Sequence, residues 1–194
     1  HSDTPQIDTP HSRRRVSLAD YEFADLIDQQ DKVRLLIDPT SSYAQAAAMA
    51  MGRAMDDVII AAATGTAYTG ETGATSESVQ TAIAASVGTG TGLNLVKLTT
   101  AKRLLDDADV DPSIPRHIIV GPEQLQNLLA VEQVTSSDYN TVKALVQGEI
   151  DSYLGFKFTV SNRLAKSGND RTCIVYAEDG ITLGIGKDIS ARID

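Results

Sequence analysis

The 194-residue chain has no tryptophan, a single cysteine, three histidines and only 5% aromatic residues. Each scarcity removes a class of explanation. With Cys173 alone, neither a disulfide nor a four-cysteine metal site forms within one chain, and a buried strand thiol is the expected role. With so few rings, the core has to be built from Ala, Val, Ile and Leu. Apolar residues reach 42%, enough for one domain or two small lobes. Positive charge is also short, with 17 Lys and Arg against 26 Asp and Glu, a net charge of −9. Tight wrapping of a nucleic acid needs a basic stripe, and only Arg13-Arg14-Arg15 approaches one, which argues against sequence-specific DNA binding. No apolar run is long enough to span a membrane, and no signal peptide is visible. The chain starts at His1 rather than Met and stops abruptly at Arg192-Ile193-Asp194, and it is read as a fragment of a longer protein.

Catalytic constellations are missing too. His1 and His11 lie in the polar start, and His117 follows Pro115-Arg116 at the lip of an expected strand, where a solvent-edge or hydrogen-bonded role suits it better than that of a base. There is no Gly-x-Ser-x-Gly elbow and no His-Glu-x-x-His pair. The run from Gly88 to Gly92 lacks the Gly-Lys-Ser/Thr ending of a phosphate loop, and the run from Gly65 to Gly73 places Glu71 where a phosphate would want positive charge. Both are read as connections. The acidic clusters Asp56-Asp57, Asp106-Asp107 and Asp109 with Asp111 are read as solvated faces and caps, since Pro112 breaks any calcium-loop pattern. No catalytic, cofactor-binding or metal-binding residue is assigned.

What is present reads as α+β, strands first, then a long helix, then mixed helices and strands, with no β-α-β rhythm. Residues 1–37 form an arm. Val16 and Leu18 alternate with polar residues, Tyr21 and Phe23 do so out of phase with them, and residues 31–37 complete an antiparallel ribbon too thin to stand alone. Ser41 or Ser42 caps a helix over residues 43–64, whose stripe runs through Tyr43, Ala46, Ala47, Ala50, Met51, Ala54, Met55, Val58, Ile59 and Ala62. Gly52 at its middle either permits a close crossing or weakens the helix by about 1 kcal/mol, and the small residues around it favour the crossing. Arg53 pairs with Asp56 and Asp57 either within the helix or across to another subunit. Residues 64–76 are a Gly/Thr loop. A short amphipathic piece spans 77–87, and Leu93 to Leu98 is a candidate strand. A helix starts at Thr99 or Thr100 and stops before Pro112. Ile118 to Val120 is a strand, and Gly121-Pro122-Glu123 opens a helix with Leu125, Leu128 and Leu129 inward. A polar connection over 131–140 and a brief helix over 141–147 follow. Three strands come last, around Phe156-Phe158-Val160, Cys173 to Tyr176 and Ile181 to Ile185, the last two separated by a turn at 178–180.

Three stretches, in this order, resemble the major capsid proteins of tailed bacteriophages with the Hong Kong 97-type fold. Arg13 to Asp28 with Asp31 and Arg34 is similar to the family's extended loop. Asp38-Pro39, Tyr43 and Gly52 to Ile60 resemble its long spine helix. Ile118-Ile119-Val120-Gly121-Pro122 through Gly155 to Leu164 is similar to its axial domain. The resemblance implies an extended loop at 1–37, spine helix and peripheral elements at 38–110, an axial domain at 111–186, and at 187–194 a return to the peripheral domain; the sequence departs from the family's pattern in having no N-terminal arm before the extended loop and in lacking the last peripheral strands after Asp194. It implies a shell subunit, not an enzyme, whose partners are further copies of itself in hexamers and pentamers. Scaffold, portal and decoration proteins are further expected partners, and packaged DNA is met only by non-specific proximity. An acidic wall would repel that DNA rather than bind it. The candidate inter-subunit contacts are Arg13, Arg14, Arg15, Val16, Leu18, Tyr21, Phe23, Arg53, Asp56 and Asp57. An encapsulin-type nanocompartment shell shares the same features, and a soluble enzyme domain with a Gly-rich ligand loop is the alternative from another class.

Overall fold

The computed structural model describes residues 13–22, 24, 40–78, 81–88, 92–130 and 152–187. They fall into two compact units, His1–Gln80 with Gly184–Asp194, and Thr81–Leu183.

The first unit is organised around α1 (Thr40–Thr64), an Ala-rich helix of 25 residues. High intrinsic propensity and the absence of an interior proline explain its length. It ends where the Thr64 hydroxyl donates back to the Ile60 carbonyl at 3.0 Å and the Gly65 N–H donates to the Ala62 carbonyl at 3.3 Å. A two-stranded antiparallel hairpin follows, β1 (Ala67–Thr69) and β2 (Thr75–Glu77), in the register Tyr68 opposite Ser76. Its tip turns through Gly70 and Gly73, both at positive φ, where L side chains are disfavoured.

The second unit holds a four-stranded sheet in the order β4-β5-β3-β8, with β3 (Arg116–Val120) between β5 (Phe156–Val160) and β8 (Ile174–Ala177), and β4 (Ser152–Tyr153) at the edge. β5 runs parallel to β3, and β8 and β4 are antiparallel to their neighbours. β6 (Lys166–Ser167) and β7 (Asp170–Arg171) form a separate small hairpin. Two helices bring apolar residues to the sheet. In α2 (Leu95–Asp107), the Asn94 side chain accepts the Lys97 N–H at 2.9 Å and so caps the first turn. α3 (Pro122–Leu129) opens with proline in its first turn, where the missing N–H costs nothing. Leu93, Leu98, Ala101, Ile118, Val120, Leu128 and Phe156 form the core. Each large apolar side chain so buried contributes about 1.5–3 kcal/mol.

Several expectations hold. The long helix, the strand at Ile118 to Val120, the helix opened by Gly121-Pro122, and the strands at Phe156 and Ile174 are all present. Others need correction. The long helix starts at Thr40, so Ser41 and Ser42 lie in its first turn rather than capping it. A methyl group on Gly52 would meet nothing within 4 Å, so among the described residues none crosses closely there. The Gly/Thr loop contains the β1–β2 hairpin, whose second strand runs on to Glu77. Leu95 to Leu98 is helical because Asn94 starts α2 earlier than the threonines do. Residues 181–185 form no strand, although the turn expected at 178–180 is present as a single 3-10 turn. The parallel pair β3–β5, with α3 between its strands in sequence, departs from the expectation of no β-α-β arrangement. The expected strand at 31–37, the connection at 131–140 and the helix at 141–147 lie outside the described residues.

Candidate functional site

The candidate contact residues are surface features rather than a pocket. Residues 13–22 form an extended segment, exposed throughout. Its backbone is fastened to the hairpin. Arg14 bridges Thr69 in antiparallel fashion, and the Arg15 N–H donates to the Tyr68 carbonyl at 2.9 Å. The side chains add to this. Arg14 lies 3.8 Å from the Glu77 carboxylate, and the Arg15 guanidinium donates to the Thr72 carbonyl at 3.3 Å. Both members of the Arg14–Glu77 pair are about half exposed, so the pair contributes little to stability. Its effect is to fix where the segment lies.

Anchoring by backbone leaves the apolar side chains largely exposed. Val16 is 71% exposed, Leu18 67% and Tyr21 53%. Arg13 is exposed as well, and Phe23 lies outside the described residues. α1 behaves similarly. Among its described side chains only Ile60 is buried, while Tyr43, Met49 and Val58 are exposed. Arg53, Asp56 and Asp57 also face solvent. The structure thus brings Arg14 and Arg15 together on the hairpin and places Arg53, Asp56 and Asp57 on one helix.

The second unit holds polar chemistry that the sequence reading passed over. Arg116, only 6% exposed, donates from Nη2 to the Asp106 carboxylate at 2.6 Å and to the Val110 carbonyl at 3.2 Å. Asp106 is therefore not merely a solvated helix acid. Its spacing from Arg116 carries no motif, so only the fold reveals the pair. Asp111 accepts the Ser113 N–H at 2.8 Å, and this bond lowers its carboxyl pKa below the ordinary value. His117 lies within β3 rather than at its lip, its ring stacked on Tyr176 with centroids 5.4 Å apart. Burial pushes the Cys173 thiol pKa up, against the smaller opposing effects of the Gly121 N–H and the Arg171 and Lys97 charges. Among the described residues no group of three His, Cys, Asp or Glu side chains is placed to hold a metal ion, and no helix is long and apolar enough to cross a membrane.

A family model described as phage capsid protein matches residues 1–194. No curated protein matches the chain. A solved chain from Mycobacterium phage Che8 is 19% identical with a TM-score of 0.48, the match covering 74% of this chain and 48% of that one. A chain from the capsid structure of the cyanophage P-SCSP1u is 18% identical with a TM-score of 0.48, covering 83% of this chain and 60% of that one. The present chain thus spans 48% and 60% of the lengths of those two chains.

Proposed function

From the premise that the chain belongs to the phage capsid protein family, we propose that it builds a Hong Kong 97-type shell. In this reading copies join as hexamers and pentamers into an icosahedral head around the double-stranded DNA genome. Its role is structural, and no catalytic step is assigned to it. Residues 1–37 act as the extended loop and 38–110 as spine helix and peripheral elements. Residues 111–186 act as the axial domain, whose sheet packs with α2, and 187–194 return to the periphery. Arg13, Arg14, Arg15, Val16, Leu18, Tyr21, Phe23, Arg53, Asp56 and Asp57 are its contacts with other subunits. The particle forms in the host cytoplasm, where scaffold, portal and decoration proteins are further partners.

One observation carries this reading: in the lone chain, the most regular element and the extended arm both keep apolar side chains in water. Among its described side chains α1 buries only Ile60, and Val16, Leu18 and Tyr21 are all more than half exposed. Grouped exposed apolar surface marks an interaction face. Side-by-side contacts whose rotation closes generate rings and, from rings, shells. The family match to phage capsids favours a genome-filled head over a cargo nanocompartment.

Electron microscopy and light scattering of the full-length protein, expressed with any scaffold it needs, test the proposal. Closed shells are expected. A protein that stays monomeric under all such conditions overturns it.

A further inference from the structure

Three glycines lie against the arm, and their positions follow its alternation. In an extended chain successive side chains point to opposite sides. Arg15 points to one side, where its side chain runs over Gly73, so closely that a Cβ there would overlap the Arg15 Cδ. Val16 and Leu18 share the other side. There, a Cβ on Gly184 would lie 4.0 Å from the Val16 Cγ1, and one on Gly186 only 2.9 Å from the Leu18 Cδ1. Gly184 and Gly186 therefore present bare backbone at the same two-residue spacing as Val16 and Leu18. The contact uses one flank of each apolar side chain, which is why both remain largely exposed on the other.

We propose that Gly73, Gly184 and Gly186 form a clasp that holds residues 14–18 on their own subunit in one register before a second copy arrives. The backbone pairing of Arg14 and Arg15 with β1 sets the position of the segment along the hairpin. The glycine track sets which side chains face in. A one-residue slip would turn Ser17 onto the track and Val16 and Leu18 away from it. The clasp itself rests on the geometry of the first compact unit. Its use, presenting the free flanks of Val16 and Leu18 to a neighbouring subunit, rests on the capsid reading.

Trypsin reads the clasp directly, because Arg13, Arg14 and Arg15 are its sites and cleavage of a paired segment requires local opening. The experiment uses the unassembled full chain, with cleavage followed by mass spectrometry and folding by far-ultraviolet circular dichroism. Gly186→Val is expected to raise cleavage in 13–15 about tenfold with the remaining fold intact. Leu18→Ala added to it vacates the space the valine needs and is expected to return cleavage to near the parental rate. Gly184→Ala, which meets Val16 at ordinary contact distance, leaves the rate unchanged or lower. Parental cleavage in Gly186→Val overturns the clasp, and so does equal acceleration in the Leu18→Ala double variant, which would reflect general loosening. In assembly reactions, Gly186→Val is expected to lower shell yield and the double variant to recover part of it. Unchanged yield with accelerated cleavage overturns the use in assembly while the capsid reading stands. Failure of the parent to form shells counts against the capsid reading and leaves the cleavage result to decide the clasp.

Discussion

Replacing Asp106 by Ala leaves the Arg116 guanidinium buried with its closest partner gone. Arg116 is 6% exposed, its Nη2 is shared between Asp106 and the Val110 carbonyl, and its Nε has no partner among the described residues. Stripping one member from a fully buried ion pair costs about 3–5 kcal/mol. Here the Asp106 side chain is 49% exposed, so water enters the vacated position and takes up part of the loss. The Val110 carbonyl also keeps its bond. The expected destabilisation is about 1.5–3 kcal/mol, the range for a lost hydrogen bond to a charged group. Arg116→Met removes the charge together with its need for a partner and is expected to cost less, about 1 kcal/mol or under. The Arg116→Met, Asp106→Ala double variant should then resemble Arg116→Met alone, which gives a coupling energy of about 1.5–3 kcal/mol, the whole Asp106→Ala cost. Urea unfolding gives the numbers, followed by circular dichroism and by the fluorescence of Tyr153 and Tyr176 in the sheet, with no tryptophan to obscure it. An Asp106→Ala chain within about 0.5 kcal/mol of the parent refutes the reasoning, as does a double variant that loses the sum of the two single effects.

Gly52→Ala should raise the stability of the unassembled chain by up to about 1 kcal/mol in thermal melts, because the added methyl meets open space. Ala54→Pro in the same helix should cost about 3 kcal/mol or more. Tyr21→Ser with Phe23→Ser should leave the circular dichroism of the lone chain unchanged and lower the melting temperature of assembled particles; unchanged particle stability rules out a contact role for that part of the arm. The Cys173 thiol should alkylate slowly at mildly alkaline pH and quickly in denaturant, since burial raises its pKa. Because the unfolded chain releases that proton more readily, stability should fall as pH rises from the unfolded thiol pKa towards the folded one, and Cys173→Ala should flatten that part of the profile.

Periodicity made some elements legible and hid others. α1 was readable because its Ala and Met residues repeat at helical spacing for most of its length, and Ile118 to Val120 because an apolar run meets Gly121-Pro122. The start of α2 was not, because Leu93 to Leu98 contains Val96 between leucines and resembles a strand. What decides it is one side-chain bond, from Lys97 N–H to Asn94. The β1–β2 hairpin was hidden for a different reason. Its strands are short, and β2 is exposed at every residue, so no alternation of apolar and polar residues records it. At the candidate surface, Val16, Leu18 and Tyr21 stood out as apolar residues in a polar stretch. The glycine track beneath two of them did not, since it lies about 170 residues further along the chain. Arg116 shows the same limit, because a lone arginine is buried or exposed according to where its partner comes to rest.

An element of 25 residues that buries so little of itself has to be held by its own backbone hydrogen bonds. Isolated helices become viable in water beyond about 12–15 residues when they are rich in alanine, and α1 exceeds that length. It is therefore preorganised. The conformational entropy lost in straightening those residues is spent when the chain folds, not when two copies meet, so association has only to bury side chains on a rod that already exists. That favours weak, reversible early contacts, which let a misplaced copy leave before a lattice closes around it.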